Sequence, residues 1–182
     1  MAHQRTDSCL QDSLAVFRYY KRLGENAMAQ CPDHGLFKAL DAESNSIAII
    51  VKHMAGNMRS RWTDFLTSDG EKPDRNRDSE FESAATTREE LLKQWEAGWN
   101  HVFSALEPLS DADITRTVTI RTEPHSAMQA INRQIAHYSY HVGQIVFLAK
   151  HFAADHWKAL TIPKKKSADF NAAVASGQKS QR

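Results

Sequence analysis

The sequence has few of the features that mark membrane, disulfide-rich and nucleic-acid-binding proteins. It contains no run of about 18 apolar residues, which a membrane-spanning helix would need. Its two cysteines, Cys9 and Cys31, are too few for a disulfide framework, so we interpret them as reduced thiols of a cytoplasmic protein. Lys and Arg number 23 and Asp and Glu 22, so the cation excess that general nucleic-acid binding requires is absent. We therefore expect neither a membrane nor a nucleic acid as partner.

Glycine and proline are also scarce, with 7 and 5 residues, and most of them fall where helices should stop. The intervening segments have the lengths of bundle helices, and each is preceded by a side chain that can cap a helix. Ser8, Thr87 and Ser126 are followed three residues later by Gln or Glu, as in a capping box. The four predicted helices begin near Ser8, Ser44, Thr87 and Ser126 and end, in the same order, by Pro32, Thr67, Pro108 and Phe152. This pattern is typical of an all-α, four-helix bundle.

The connections are longer than in a simple bundle. Residues 114–120 are β-branched and alternate, which predicts a short extended segment between the third and fourth helices. Residues 68–83 are dense in charge and turn residues, which favours a solvated loop. Apolar residues between Trp157 and Phe170 predict a segment that packs back on the bundle. We expect one domain over residues 1–175 and a frayed tail over 176–182.

Among the nine histidines, His137 and His141 have metal-ligand spacing within a predicted helix. Residues four apart lie one turn apart and diverge by about 40° around the axis, so both rings can reach one metal. The face they share also carries Gln134 and Gln144, where a plain core face would carry Leu or Ile. The alternative is a chance pair of histidines on the surface.

The second predicted helix also has a polar line beside its apolar stripe. His53, Asn57 and Asp64 lie within about 40° of one another on the helical wheel, and Arg61 is close by. Polar groups are costly to bury in a bundle unless they are satisfied. Two such lines therefore predict a shared polar pocket, with His53 as the third ligand beside the histidine pair.

Several stretches together resemble a known family. They are residues 45–58 (NSIAIIVKHMAGNM), 60–62 (SRW), 65–66 (FL), 69–73 (DGEKP), 75–78 (RNRD), 95–99 (WEAGW), 133–144 (RQIAHYSYHVGQ), 162–163 (IP) and 170–171 (FN). The chain resembles the DinB-like (YfiT-like) superfamily of metalloenzymes, within a bacterial branch whose domain has no assigned function. The resemblance covers roughly residues 8 to 171.

The resemblance implies a four-helix bundle with a divalent metal on three histidines, here His53, His137 and His141. Members are commonly dimers, and characterised relatives include thiol S-transferases that use bacillithiol or mycothiol and a mycothiol-dependent isomerase. It also implies that the charged segment 69–82 belongs to the branch pattern, which favours a place at the site. Arginines there could instead form a salt-bridge network.

Three neutral imidazoles suit several divalent metals, of which we expect zinc or nickel. Three protein ligands leave coordination positions open, which is typical of a catalytic metal. Asn57 and Gln144 could orient a ring N–H, a water or a substrate. Asp64 is a candidate general base.

Arg61, Arg75 and Arg77 could receive an anionic group. The first hypothesis for function is a metal-dependent transferase that joins a low-molecular-weight thiol to a small electrophilic substrate. The second hypothesis is a metal-dependent hydrolase, and the third is a bundle that binds a metal or ligand without catalysis. The expected partners are a small-molecule substrate and a second copy of the chain.

Overall fold

The computed structural model describes residues 5–82 and 85–180, and it confirms a mostly helical chain built as an all-α bundle. Within these ranges the α-helices are α1 (Cys9–Gln30), α2 (Asp33–Phe37), α3 (Ile47–Trp62), α4 (Arg88–Leu106), α5 (Ala127–Ala153) and α6 (Ser167–Ala175). The strands β1 (Thr117–Ile120) and β2 (Glu123–Ser126) pair antiparallel. Short 3₁₀ turns span Asp78–Phe81, Asp113–Thr115 and Ala154–His156. None of the described helices combines the length and apolar character needed to cross a membrane.

The four long helices α1, α3, α4 and α5 correspond to the four predicted ones, and polar caps begin each of them. Ser8 Oγ accepts the backbone N–H of Gln11 at the start of α1. Thr87 and Ser126 form reciprocal capping boxes with Glu90 and Gln129, as their spacing predicts. These local hydrogen bonds satisfy N–H groups that would otherwise lack a partner in the first helical turn.

The helix that contains His53 is shorter than predicted. Ser46, not Ser44, caps α3, since Ser46 Oγ accepts the backbone N–H of Ile49. The helix ends at Trp62 and not near Thr67, because Asp64 takes a left-handed φ of 49° that a helix cannot continue.

The connections contain more structure than predicted. The expected extended segment at 114–120 is a strand only over Thr117–Ile120. This strand pairs with β2, which includes Pro124 and was not predicted. The short helices α2 and α6 were also not predicted, and neither has a side-chain cap hydrogen bond. Trp157 and Leu160 pack against the core, as expected for the segment after α5.

The domain boundary at residue 175 and the frayed tail at 176–182 stay predictions. Residues 1–4, 83–84 and 181–182 lie outside the described ranges.

The core lies between the long helices, where α1 packs mainly on α5 and α3 mainly on α4. Phe17, Trp62 and Tyr138 meet in tilted and edge-to-face contacts. The Trp62 Nε1–H group donates to Tyr138 Oη at 2.9 Å, and Tyr138 Oη donates to Asn57 Oδ1 at 3.1 Å. The aromatic core therefore ends in a satisfied polar chain that leads from α5 to the polar side of α3.

Candidate metal centre

The three predicted histidines converge between α3 and α5. His137 Nε2 lies 3.3 Å from His53 Nε2 and 3.1 Å from His141 Nε2. One nitrogen from each ring lies within 4.8 Å of the other two. With zinc–nitrogen bonds of about 2.0–2.1 Å, two tetrahedral ligands lie about 3.3 Å apart. The three rings are therefore spaced so that they could hold one ion.

Hydrogen bonds at the opposite ring nitrogens leave lone pairs directed into this cluster. His53 Nδ1–H donates to Glu80 Oε2 at 2.9 Å, and His141 Nδ1–H donates to Gln144 Oε1 at 2.8 Å. A neutral ring protonated at Nδ1 has its lone pair at Nε2. If His137 Nε2 carried a proton, it could donate a hydrogen bond to the Nε2 atom of His53 or of His141, but not to both. A divalent cation satisfies all three nitrogens, and imidazole is a ligand that suits zinc and nickel.

The surroundings keep the rings of α5 neutral. Burial lowers the pKa of His137 to about 3, and the neighbouring rings of His141 and His53 contribute to the same shift. Burial also lowers the pKa of His141, although its hydrogen bond to Gln144 opposes that shift. Both rings are therefore in the uncharged form that binds metals at neutral pH.

Glu80 contacts the histidine cluster, although the sequence did not single it out. Burial alone would raise its pKa, but hydrogen bonds from His53 and Arg75 outweigh that effect and lower it. Arg75 donates from Nε and Nη2 to the two carboxylate oxygens at 2.9 and 3.0 Å. Glu80 is therefore a buried carboxylate anion that fixes the orientation of the His53 ring.

A glycine makes room for this carboxylate. A Cβ at Gly56 would contact the Glu80 side chain, at 2.8 Å from its Cδ and closer still to one oxygen. Gly56 lies within α3, where glycine is unfavourable for the helix. A mid-helix glycine three residues after His53 was the sequence signal that could have pointed to a neighbour approaching the helix closely.

The histidines line a solvent-accessible pocket of about 420 Å³. Its wall includes six of the seven predicted neighbours, which are Asn57, Arg61, Arg75, Arg77, Gln134 and Gln144. It also includes Asn45, Phe81, Arg121, Arg133 and Tyr140, which were not predicted. The seventh, Asp64, lies exposed beyond the end of α3 and does not line this pocket. The structure does not bring Asp64 to the site, because the helix whose period predicts it there ends at Trp62.

The charged segment before α4 forms both a salt-bridge network and a wall of the pocket. Glu71 accepts from Arg61 Nη2 at 2.9 Å, Arg121 Nε at 3.1 Å and Arg75 Nη1 at 3.4 Å. Arg61 also donates to the backbone oxygen of Gly70. The expectation of a freely solvated loop is corrected, since these contacts fasten the segment to α3 and to the β-hairpin.

Comparison with known proteins gives a family without an assigned activity. The family described as "Protein of unknown function (DUF1572)" matches residues 4–166, which is most of the chain. No curated protein and no solved structure matches the chain significantly. The chain belongs to the DUF1572 family.

Proposed function

We propose that this member of the DUF1572 family is a divalent-metal-dependent enzyme of the DinB-like superfamily, with zinc or nickel on His53, His137 and His141. The observation that carries the proposal is the convergence of three Nε2 atoms, with neighbours 3.1 and 3.3 Å apart, beside an accessible pocket. The hydrogen bonds of His53 to Glu80 and of His141 to Gln144 support the proposal, because metal-binding histidines usually donate their other ring N–H to such an acceptor.

A catalytic role is favoured over a structural one. Among the described residues, the cluster of metal-ligand side chains has three members. Structural zinc sites are closed by four protein ligands, whereas three leave a position for water or substrate. A pocket of about 420 Å³ has the size of a small-molecule site.

We propose that the reaction joins a low-molecular-weight thiol to a small electrophile. When bound, the metal would act as a Lewis acid that lowers the pKa of a thiol or water. The thiol releases its proton to solvent water, and its sulfur bonds to the electrophilic carbon. Either a leaving group departs from that carbon with its bonding electrons, or a π-electron pair moves to the neighbouring atom, which then takes up a proton from solvent. Among the described residues that line the pocket, none is a carboxylate that could act as a general base. This favours a thiol as nucleophile, since its pKa of about 8.5 needs less help than that of water.

The chain's own side chains orient the reaction. Glu80 and Gln144 hold the rings of His53 and His141, so their lone pairs point to one place. Asn57 is held by the Tyr138 hydroxyl and lines the pocket, where its amide can donate to a bound substrate.

The proposal also includes a homodimer and a reducing, cytoplasmic setting. Tyr140 and Phe147 are 63% and 66% exposed and lie two turns apart on one face of α5. Gly143 lies between them, and a Cβ there would meet nothing within 4 Å. An exposed apolar stripe of this kind supports self-association. Cys9 and Cys31 are free thiols, as a reducing compartment would keep them.

Elemental analysis followed by a thiol-conjugation screen tests the function. We expect one zinc or nickel per chain and metal-dependent consumption of a thiol with an electrophile such as chlorodinitrobenzene. His137→Ala should lose the metal and keep the helical circular dichroism, whereas His151→Ala, an exposed histidine of the same helix, should keep both. Activity without any thiol would favour the hydrolase. Unchanged metal content in His137→Ala would overturn the proposal.

A further inference from the structure

The pocket beside the histidines has a strongly one-sided charge. Five arginines line it, and no carboxylate is among its described lining residues. Behind the wall, Glu71 and Glu80 accept hydrogen bonds from the guanidinium groups of three of the arginines, and Asp69 accepts the backbone N–H of Arg121. Positive charge therefore exceeds nearby negative charge in a chain whose overall balance is close to neutral.

The arginines divide into structural and free ones. Arg75 is bound to Glu80 and Glu71, Arg61 to Glu71 and the backbone, and Arg121 to Glu71. Their guanidinium groups stabilise the wall of the pocket. Arg61 and Arg75 were predicted to receive an anionic group, but in the structure they already bind carboxylates of the chain itself.

The guanidinium groups of the other two arginines have no carboxylate or hydrogen-bond partner within the described part of the chain. Arg77 lies exposed, with its guanidinium 5.0 Å from the centre of the Phe81 ring. That ring packs on His53, with the two ring centres 4.8 Å apart. Arg133 is exposed on α5, one turn before His137, so it lies on the same face as that histidine. Both guanidinium groups thus belong to the pocket next to the histidine cluster.

We propose that Arg77 and Arg133 bind a carboxylate or phosphoryl group of the small molecule whose reactive end lies at the three histidines. Guanidinium groups pair with such anions through two parallel hydrogen bonds, and these two are exposed and unpaired. The inference rests on the proposed function, to which it adds the class of substrate. The anionic group could belong to the electrophile or to the thiol.

Titration calorimetry on the zinc-loaded full chain tests this inference with succinate, inorganic phosphate, mercaptosuccinate and 2-mercaptoethanol as probes. We expect the wild type to bind the anions, with an affinity that falls as salt is added. Arg77→Gln/Arg133→Gln should bind succinate at least roughly tenfold more weakly, because hydrogen bonds to charged groups are lost. Arg22→Gln is the matched control, since Arg22 is exposed on α1, outside the pocket, and has no partner within the described residues. Zinc content should be the same in all variants.

The probes distinguish the two sources of the anion and the two proposals. Tighter binding of mercaptosuccinate than of succinate, lost in His137→Ala, would assign the anion to the thiol. Equal binding would assign it to the electrophile. Arginine-dependent anion binding in a protein that holds no metal would leave this inference standing and overturn the proposed enzyme. No detectable binding of succinate or phosphate to the wild type, or equal binding by the double variant and Arg22→Gln, would overturn the inference while metal-dependent thiol consumption could persist.

Discussion

His53 and Glu80 form a buried hydrogen bond of 2.9 Å between Nδ1 and Oε2, which joins the histidine cluster to the charged segment before α4. The same carboxylate accepts two hydrogen bonds from Arg75. One side chain therefore sets the orientation of a ring and neutralises a buried guanidinium.

Replacing Glu80 by Gln tests this link. The neutral amide of Gln has one oxygen to accept hydrogen bonds where the carboxylate has two, so it cannot bind both His53 and Arg75 as Glu80 does. We therefore expect zinc affinity to fall about 10- to 100-fold. The free energy of unfolding should fall by about 1.5–3 kcal/mol, the usual contribution of a hydrogen bond to a charged group. Competition titration with a chelating dye and urea unfolding measure the two effects. Glu82→Gln is the control, because Glu82 is exposed and has no hydrogen-bond partner within the described residues. Equal zinc affinity in both variants would contradict the role of Glu80.

Gly56→Ala should weaken metal binding without altering any ligand. The new Cβ would contact the Glu80 carboxyl group and displace it from the His53 ring. Alanine also favours a helix over glycine by about 1 kcal/mol, so stability is a poor readout here and zinc affinity is the measurement. Gly143→Ala is the matched control on α5, where a Cβ meets nothing within 4 Å. If Gly56→Ala bound zinc as tightly as Gly143→Ala, the space at Gly56 would have no bearing on the site.

The metal-free protein should lose stability as the pH falls from 7 to 5. The pKa of His137 in the folded chain is about 3, below the usual histidine value of about 6.5, so the unfolded chain binds more protons in this range. The free energy of unfolding therefore decreases with falling pH, by about 2 kcal/mol at pH 5 for such a shift. Urea unfolding in the presence of a chelator measures it. In His137→Gln, the decrease in the free energy of unfolding between pH 7 and pH 5 should be smaller by that amount. A decrease equal to that of the wild type would contradict the lowered pKa of His137.

Phe147→Asp should convert the proposed dimer into a monomer. Phe147 is 66% exposed on α5, and a charge there would lack a partner if the face were covered by a second chain. Light scattering should give about twice 20.6 kDa for the wild type and 20.6 kDa for the variant. Leu40→Asp, at an apolar residue 42% exposed elsewhere, should leave the mass unchanged. A wild-type mass of one chain would exclude the dimer.

Local signals in the sequence predicted the helices and the three histidines. A capping box such as Thr87 with Glu90 lies within four residues, so its outcome depends little on the rest of the chain. The 3.6-residue period brings His137 and His141 together, and a polar line on a second helix indicates His53.

The rest of the site depends on contacts between distant segments. Glu80 is one of several acidic residues in its segment, and nothing in their spacing distinguishes the one that meets His53 27 residues earlier. Asp64 followed the helical period correctly but lies past the residue where the helix stops. Arg133 lies one turn before His137, so the helical period indicates the shared face, but its place in the pocket also depends on the position of the facing wall.

The tip of the β-hairpin is attached to the charged segment before α4 by hydrogen bonds and by the ion pair of Arg121 with Glu71. Asp69 accepts the backbone N–H groups of Arg121 and Thr122 at 2.8 and 2.7 Å, and Gly70 N–H donates to the oxygen of Thr119 at 2.8 Å. Two four-residue strands have little stability of their own, so this wall has a lower free energy of local opening than the helices. Amide protons of the hairpin should therefore exchange with solvent before those of α3 and α5. We therefore expect a change in the hairpin to alter access to the pocket while the spacing of the three histidines, which α3 and α5 set, stays the same.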